Sequence, residues 1–232
     1  MKTRETILFL HGWGTNSSIF VRVMSFFENL SVDYKILALD LPMFACGDSD
    51  SPGAPWGLEN YSDYVEQFLD KEGVENCHII AHSFGARVAV LLCTRNLGRF
   101  GKLVLTGAAG LRKRLSFCKC LRVRFHKMGI WKNKGSEDYR KLTHTGKVTF
   151  QNILRRDLSG EIANLKNPTL LIWGRKDSAT PLKMGKKWLR LQNKGWTKQK
   201  PARILIYRDS GHFCFLDEPE RFIRDAHSFL VE

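Results

Sequence analysis

The sequence predicts an α/β fold: a mainly parallel, twisted sheet of about six strands with helices on both sides and a small helical insertion. Three observations point there. Six short apolar, β-branched runs recur along the 232 residues, amphipathic stretches of helical period separate them, and one long segment breaks the alternation. A run buried on both faces has no need to alternate polar and apolar residues, which is the mark of a parallel strand. Strand and helix in alternation favour right-handed crossovers and a doubly wound sheet.

The predicted strands cover residues 6–10, 35–39, 77–80, 102–106, 169–173 and 203–207, and the predicted helices 19–30, 61–72, 84–95 and 182–191. Two helix starts carry local chemistry. Thr180-Pro181 and Glu218-Pro219 each place proline where the first helical N–H would have no partner. The break runs from Gly110 to Pro168. Its first part repeats Leu111, Leu115, Cys118, Leu121, Phe125 and Met128 at helical spacing, and Ser136 before Glu137 and Asp138 reads as an N-cap with acids in the first turn. Residues 111–167 are therefore expected to form a cap inserted into a core of residues 1–110 and 168–232.

Composition narrows the class. Apolar residues make up 43% of the chain and charged residues 26%, the balance of a folded globular protein. Met1-Lys2-Thr3-Arg4-Glu5 leads into too few apolar residues for a signal-peptide core, and no later run approaches the ~20 needed for a transmembrane segment. A cytoplasmic protein is expected. The six cysteines, Cys46, Cys77, Cys93, Cys118, Cys120 and Cys214, form no C-x-x-C pair, so free thiols are expected and no metal site is suggested. The net charge of +14 is unevenly spread. Residues 111–150 hold 12 Lys or Arg against two acids, and residues 183–203 hold eight bases and no acid. Before residue 111 acids outnumber bases, 12 to nine. A basic surface with no interleaved aromatic platform or binding motif argues against nucleic acid.

The residues with chemistry fall at predicted carboxyl strand ends, where ligands of open α/β sheets collect. Ala81-His82-Ser83-Phe84-Gly85 joins a strand to a helix, the context of a nucleophile elbow. So sharp a turn crowds the positions two residues either side of the serine, and Ala81 and Gly85 are both small. A serine hydroxyl needs a base. His212, just past the last strand, is that candidate; His11 and His82 read as structural groups beside the site, His78 as a strand residue, and His126, His144 and His227 as packing or solvated groups. The base needs a carboxylate to fix its tautomer. Asp177 follows the fifth strand, with Asp209 as the rival. The order Ser83, Asp177, His212 is one of the known triad orders. An oxyanion needs N–H donors, and Phe84 and Trp13 of His11-Gly12-Trp13-Gly14 are the candidates. His11, Gly12 and Phe213 are further candidate substrate contacts.

These motifs, with Asp40-Leu41-Pro42 and residues 168–177, resemble the α/β-hydrolase superfamily over essentially the whole chain. Within it the chain is similar to small, lid-bearing serine carboxylesterases, among them the pimeloyl-carrier-protein methyl ester esterases, which share a tryptophan-bearing oxyanion loop and a basic lid. The resemblance implies ester hydrolysis through an acyl-enzyme on Ser83, with no cofactor. The substrate expected is a small-molecule ester, anionic or carrier-bound if the basic cap steers it, and unspecified if those bases are only a solvated face. Two rivals stay open: a carbon–carbon bond hydrolase of the meta-cleavage-product type, and a non-catalytic binding protein. The former commonly carries Asn or Ala near the elbow and Trp after the histidine, where this chain has His82, Ser83 and Phe213. The family's N-terminal antiparallel hairpin is expected to be missing, and Met43-Phe44-Ala45-Cys46-Gly47 stands where Gly-Phe-Gly is usual.

Overall fold

The computed structural model describes residues 5–30, 34–42, 53–112, 142–196 and 201–232. Six strands form one sheet: β1 (Thr6–Leu10), β2 (Lys35–Leu39), β3 (Cys77–His82), β4 (Phe100–Thr106), β5 (Thr169–Gly174) and β6 (Ala202–Tyr207). Their order is β2-β1-β3-β4-β5-β6, every pairing is parallel, and no antiparallel strand flanks the sheet among the described residues. The helices are α1 (Val21–Glu28), α2 (Leu58–Lys71), α3 (Phe84–Arg95), α4 (His144–Arg155), α5 (Ser159–Asn164), α6 (Leu182–Gln192), α7 (Cys214–Asp217) and α8 (Pro219–Val231).

The inner strands β1, β3, β4 and β5 are largely apolar because both of their faces are covered, whereas the edge strands β2 and β6 are partly exposed and carry Lys35 and Arg203. Along β1, Ile7 and Phe9 point into a core completed by α1, α7 and α8, with Phe27, Phe215 and Phe222 filling it. Leu8 and Leu10 point the other way, to Tyr61 and Val65 of α2, Val88 of α3, Ile162 of α5 and Trp188 of α6. The same alternation sends Leu103 and Leu105 one way and Val104 the other. Period-2 geometry thus sorts continuous apolar runs into two cores.

Several boundaries differ from the expectation, α2 starting at Leu58 and β3 running on to His82 among them, and three of the differences have a visible physical reason. β4 begins at Phe100 because the β3–β4 register shifts between Cys77 and Ile79, which absorbs Gly101 as an extra residue. A Cβ at Gly101 would lie 2.5 Å from His78 Nδ1, so the strand passes the imidazole only without one. The first helix is preceded by a 3-10 turn, Ser17–Phe20, capped by Asn16, whose side chain accepts the Ser18 N–H at 3.0 Å. Pro181 is the N-cap of α6, with ψ at 146°, and not its first helical residue. Pro219 does hold the first helical position of α8. In the insertion, α4 and α5 are described. The apolar repeat from Leu115 to Met128, the Ser136 cap, His126 and most of the basic run lie outside the described residues, as do residues 43–47.

Among the described residues no helix is long and apolar enough to cross a membrane. Cys77, Cys93 and Cys214 are free and buried; the other three cysteines lie outside the described residues.

Candidate active site

The chain switches from one side of β1 to the other between β2 and β3, so the carboxyl ends of β1, β3, β4, β5 and β6 converge around one crevice. Ser83 follows β3 directly, with φ at 49° and ψ at −104°, the only non-glycine residue with positive φ among those described. That turn is pinned on both sides: Ser83 N–H donates to Thr106 O at 3.0 Å, and Ala109 N–H donates to Ser83 O at 3.0 Å. The demand for a small residue at Gly85 is visible, since a Cβ there would sit 2.2 Å from Leu10 O.

Three side chains from three strand ends meet. His212 Nε2 is 3.0 Å from Ser83 Oγ, and His212 Nδ1 is 2.8 Å from Asp177 Oδ2. Asp177 is 4% exposed. Burial pushes its carboxyl up, but the hydrogen bond and charge of His212, with the Thr180 N–H and O–H, outweigh that and hold it below the usual carboxylate range. An ionised Asp177 accepts Nδ1–H, which leaves Nε2 bare to accept the Ser83 proton. Asp209 is elsewhere, 87% exposed on its side chain and paired to Lys176 Nζ at 3.0 Å.

Thr180, legible in the sequence only as part of a helix start, turns out to grip Asp177 from both sides. Its N–H donates to Oδ1 at 2.8 Å and its hydroxyl lies 2.8 Å from Oδ2 and 2.9 Å from Gly107 O. Gly107 has φ at +52°, and a Cβ on it would lie 2.9 Å from His212 Nδ1. The histidine loop is anchored to the helices that follow: Gly211 N–H donates to Asp217 Oδ2 at 2.7 Å, and Ser210 Oγ to Glu218 Oε1 at 2.6 Å. It also touches the acid loop, where Lys176 N–H donates to Ser210 O at 3.0 Å. None of these anchors has a local signature beyond a carboxylate or hydroxyl within a few residues of Asp177 or His212.

The other predicted residues gather around this centre. His82 is 1% exposed, its Nδ1–H donates to Thr106 O at 3.2 Å, and its ring lies 4.6 Å from that of His212. Burial, reinforced by the His212 charge, drives its pKa down to about 3 against the opposing Thr106 carbonyl. His82 is therefore a neutral floor. His11 accepts Leu41 N–H on Nε2 at 2.8 Å, so its Nδ1–H faces Gly12 O at 2.9 Å, and burial lowers its pKa too. Gly12 sits against Ser83, where an added Cβ would come within 3.3 Å of Ser83 Cβ. Trp13 stands edge-on to Phe84, 6.0 Å between centroids, and to Phe150 of α4, 4.6 Å away. Phe213 packs on His82 at 4.7 Å. His78 accepts Lys102 N–H at 3.0 Å, and His227 meets Phe26 and Phe27 edge-on, both away from this centre.

Helix α4 is held down at its middle and its C-terminal end. Buried Arg87 of α3 donates to Ile153 O at 2.5 Å and to Arg156 O, and Trp56 N–H donates to Thr149 Oγ1 at 2.9 Å.

Known proteins share this frame. The AB hydrolase superfamily protein YisY of Bacillus subtilis is 26% identical over 93% of this chain and 87% of its own length. A 2-hydroxy-6-oxononadienedioate/2-hydroxy-6-oxononatrienedioate hydrolase of a Pseudomonas species is 24% identical over 98% of this chain and 87% of its own. Among solved structures, an esterase of Exiguobacterium antarcticum superposes with a TM-score of 0.75 at 18% identity, covering 100% of this chain and 94% of that one, a likeness of fold. The alpha/beta hydrolase family itself matches residues 7–226, a span that holds five strands and all but Thr6 of the first, with Ser83, Asp177 and His212. With that match over nearly its whole length and a six-stranded parallel sheet of the same design, the chain belongs to the alpha/beta hydrolase family.

Proposed function

We propose that this protein hydrolyses carboxylic esters through an acyl-enzyme on Ser83. The observation that carries the reading is the unbroken relay from Ser83 Oγ to His212 Nε2 at 3.0 Å and from Nδ1 to Asp177 Oδ2 at 2.8 Å. In the first step His212 Nε2 takes the hydroxyl proton as Ser83 Oγ attacks the ester carbonyl, and Asp177 stabilises the imidazolium. The N–H groups of Trp13 and Phe84 are the donors we assign to the oxyanion. Collapse expels the alcohol, which takes the proton from His212. Water then repeats the sequence on the acyl-enzyme and releases the acid. In this reading the insertion of residues 111–167 caps the core through α4, which the contact of Phe150 with Trp13 supports, while α5 packs into the core itself.

A second reading is favoured by one of the relatives. The substrate in the name of the Pseudomonas hydrolase contains no ester, so its hydrolysis breaks a carbon–carbon bond. The same relay would serve that chemistry. His82 before the serine and Phe213 after the histidine incline us to esters. A p-nitrophenyl ester series assayed beside a vinylogous diketo acid separates the two, with the ester series expected to be the better substrate. Ser83→Ala is expected to abolish turnover and fluorophosphonate labelling. Undiminished turnover in that variant would overturn both readings.

A further inference from the structure

Helix α6 carries a feature unrelated to the relay. At 100° per residue, Lys183, Lys186, Lys187 and Arg190 fall within an arc of about 100°, and Lys194 follows in the next turn. The opposite face, with Gly185, Trp188 and Gln192, is buried. From Lys183 to Lys194 the stripe is about 16 Å long at 1.5 Å per residue. Like charges three and four residues apart destabilise a helix, and a cation in its first turn opposes the dipole. Among the described residues no carboxylate forms an ion pair with any of the five, and Lys187 feels only a longer-range attraction from Asp157. Elsewhere Arg22, Lys35, Arg95, Arg99, Lys176 and Arg203 each meet one.

The stripe ends beside exposed apolar groups. Trp196 is 41% exposed and Leu97 is 77% exposed. Both line one groove of about 360 Å³, together with Leu165 and Lys166. Cations alone would suit any polyanion. An indole and a leucine placed beside them favour a surface with apolar material beneath its charge, since tryptophan settles at headgroup level and lysine stems reach past it.

We propose that the α6 stripe, with Trp196 and Leu97 at its end, is a docking surface for an anionic lipid bilayer. The proposal is independent of the reaction assigned to Ser83. It is tested by co-sedimentation of the full chain with vesicles of phosphatidylcholine alone and with a third of the lipid replaced by phosphatidylglycerol. Binding is expected only to the anionic vesicles, and it should fall as salt is added. The triple variant Lys183→Glu/Lys187→Glu/Arg190→Glu should lower the partition coefficient by about a hundredfold or more. A charge-matched triple on other elements, Lys71→Glu/Arg208→Glu/Arg224→Glu, should lose much less, and Trp196→Ser should lose the part of the binding that survives high salt. If the reversed helix melts early, the milder Lys→Gln substitutions at positions 183, 186 and 187 give the same ranking. Equal binding to both vesicles, or equal loss in the two triples, would overturn the proposal. So would retention by polyglutamate or single-stranded DNA without retention by vesicles.

Discussion

Replacing Thr180 by valine tests whether the carboxylate is held for catalysis or merely buried. Valine keeps the shape and removes only the hydroxyl, which lies 2.8 Å from Asp177 Oδ2 and 2.9 Å from Gly107 O. A hydrogen bond to a charged group contributes about 1.5–3 kcal/mol. The hydroxyl has one proton and two acceptors, so the share reaching Asp177 sits at the lower end, about 1.5 kcal/mol. The Thr180 N–H on Oδ1 and the imidazole on Oδ2 remain. At 1.4 kcal/mol per tenfold, kcat should drop about tenfold. Thr180 is 6% exposed, so KM for a p-nitrophenyl ester should hardly move, and kcat and kcat/KM should fall together. Thr180→Ser, which restores the hydroxyl, should recover most of the rate. A valine variant that melts like the parent and stays within twofold of its kcat refutes the reasoning, and so does a loss that serine fails to recover.

Gly107→Ala places a methyl 2.9 Å from His212 Nδ1 at a positive φ, so turnover should fall at least about a hundredfold while the melting temperature drops only a few degrees, as kinetics and calorimetry on one sample would show. Asp177→Asn should cost about a thousandfold or more in kcat, because the wrong imidazole tautomer faces Ser83, whereas Asp209→Asn, exposed and tied to Lys176, should leave kcat unchanged; equal losses would reverse the assignment of the acid. His82 stays neutral in the fold down to about pH 3, while the unfolded chain protonates it near 6.5. Its contribution is therefore complete above pH 6.5 and lost as pH falls, by about 2 kcal/mol at pH 5, with His11 adding in the same direction. Urea midpoints at pH 7 and 5 should show this slope, and His82→Gln should flatten it.

The strands were readable because burial on both faces leaves mostly apolar residues, so each run announces itself without regard to its neighbours. Where strands meet, that independence fails. Phe100 and Gly101 fall outside the strand predicted at 102–106, and Phe100 pairs with Cys77 only because the register slips beside it to absorb Gly101. Pro181 fits the first position of a helix by its own φ; it becomes the cap because Thr180, one residue earlier, is turned back onto Asp177. The meeting of Ser83, Asp177 and His212 was legible for a related reason: each lies within a few residues of a strand's carboxyl end, and parallel strands all end on one side. What could not be read was the floor between them. The order β2-β1-β3-β4-β5-β6 inserts β4 between the strand before Ser83 and the strand before Asp177, so the residue that follows β4 has to lie under the imidazole that spans the two. Only a residue without a Cβ leaves the ring its place, which makes Gly107 a consequence of topology and not of any motif around it.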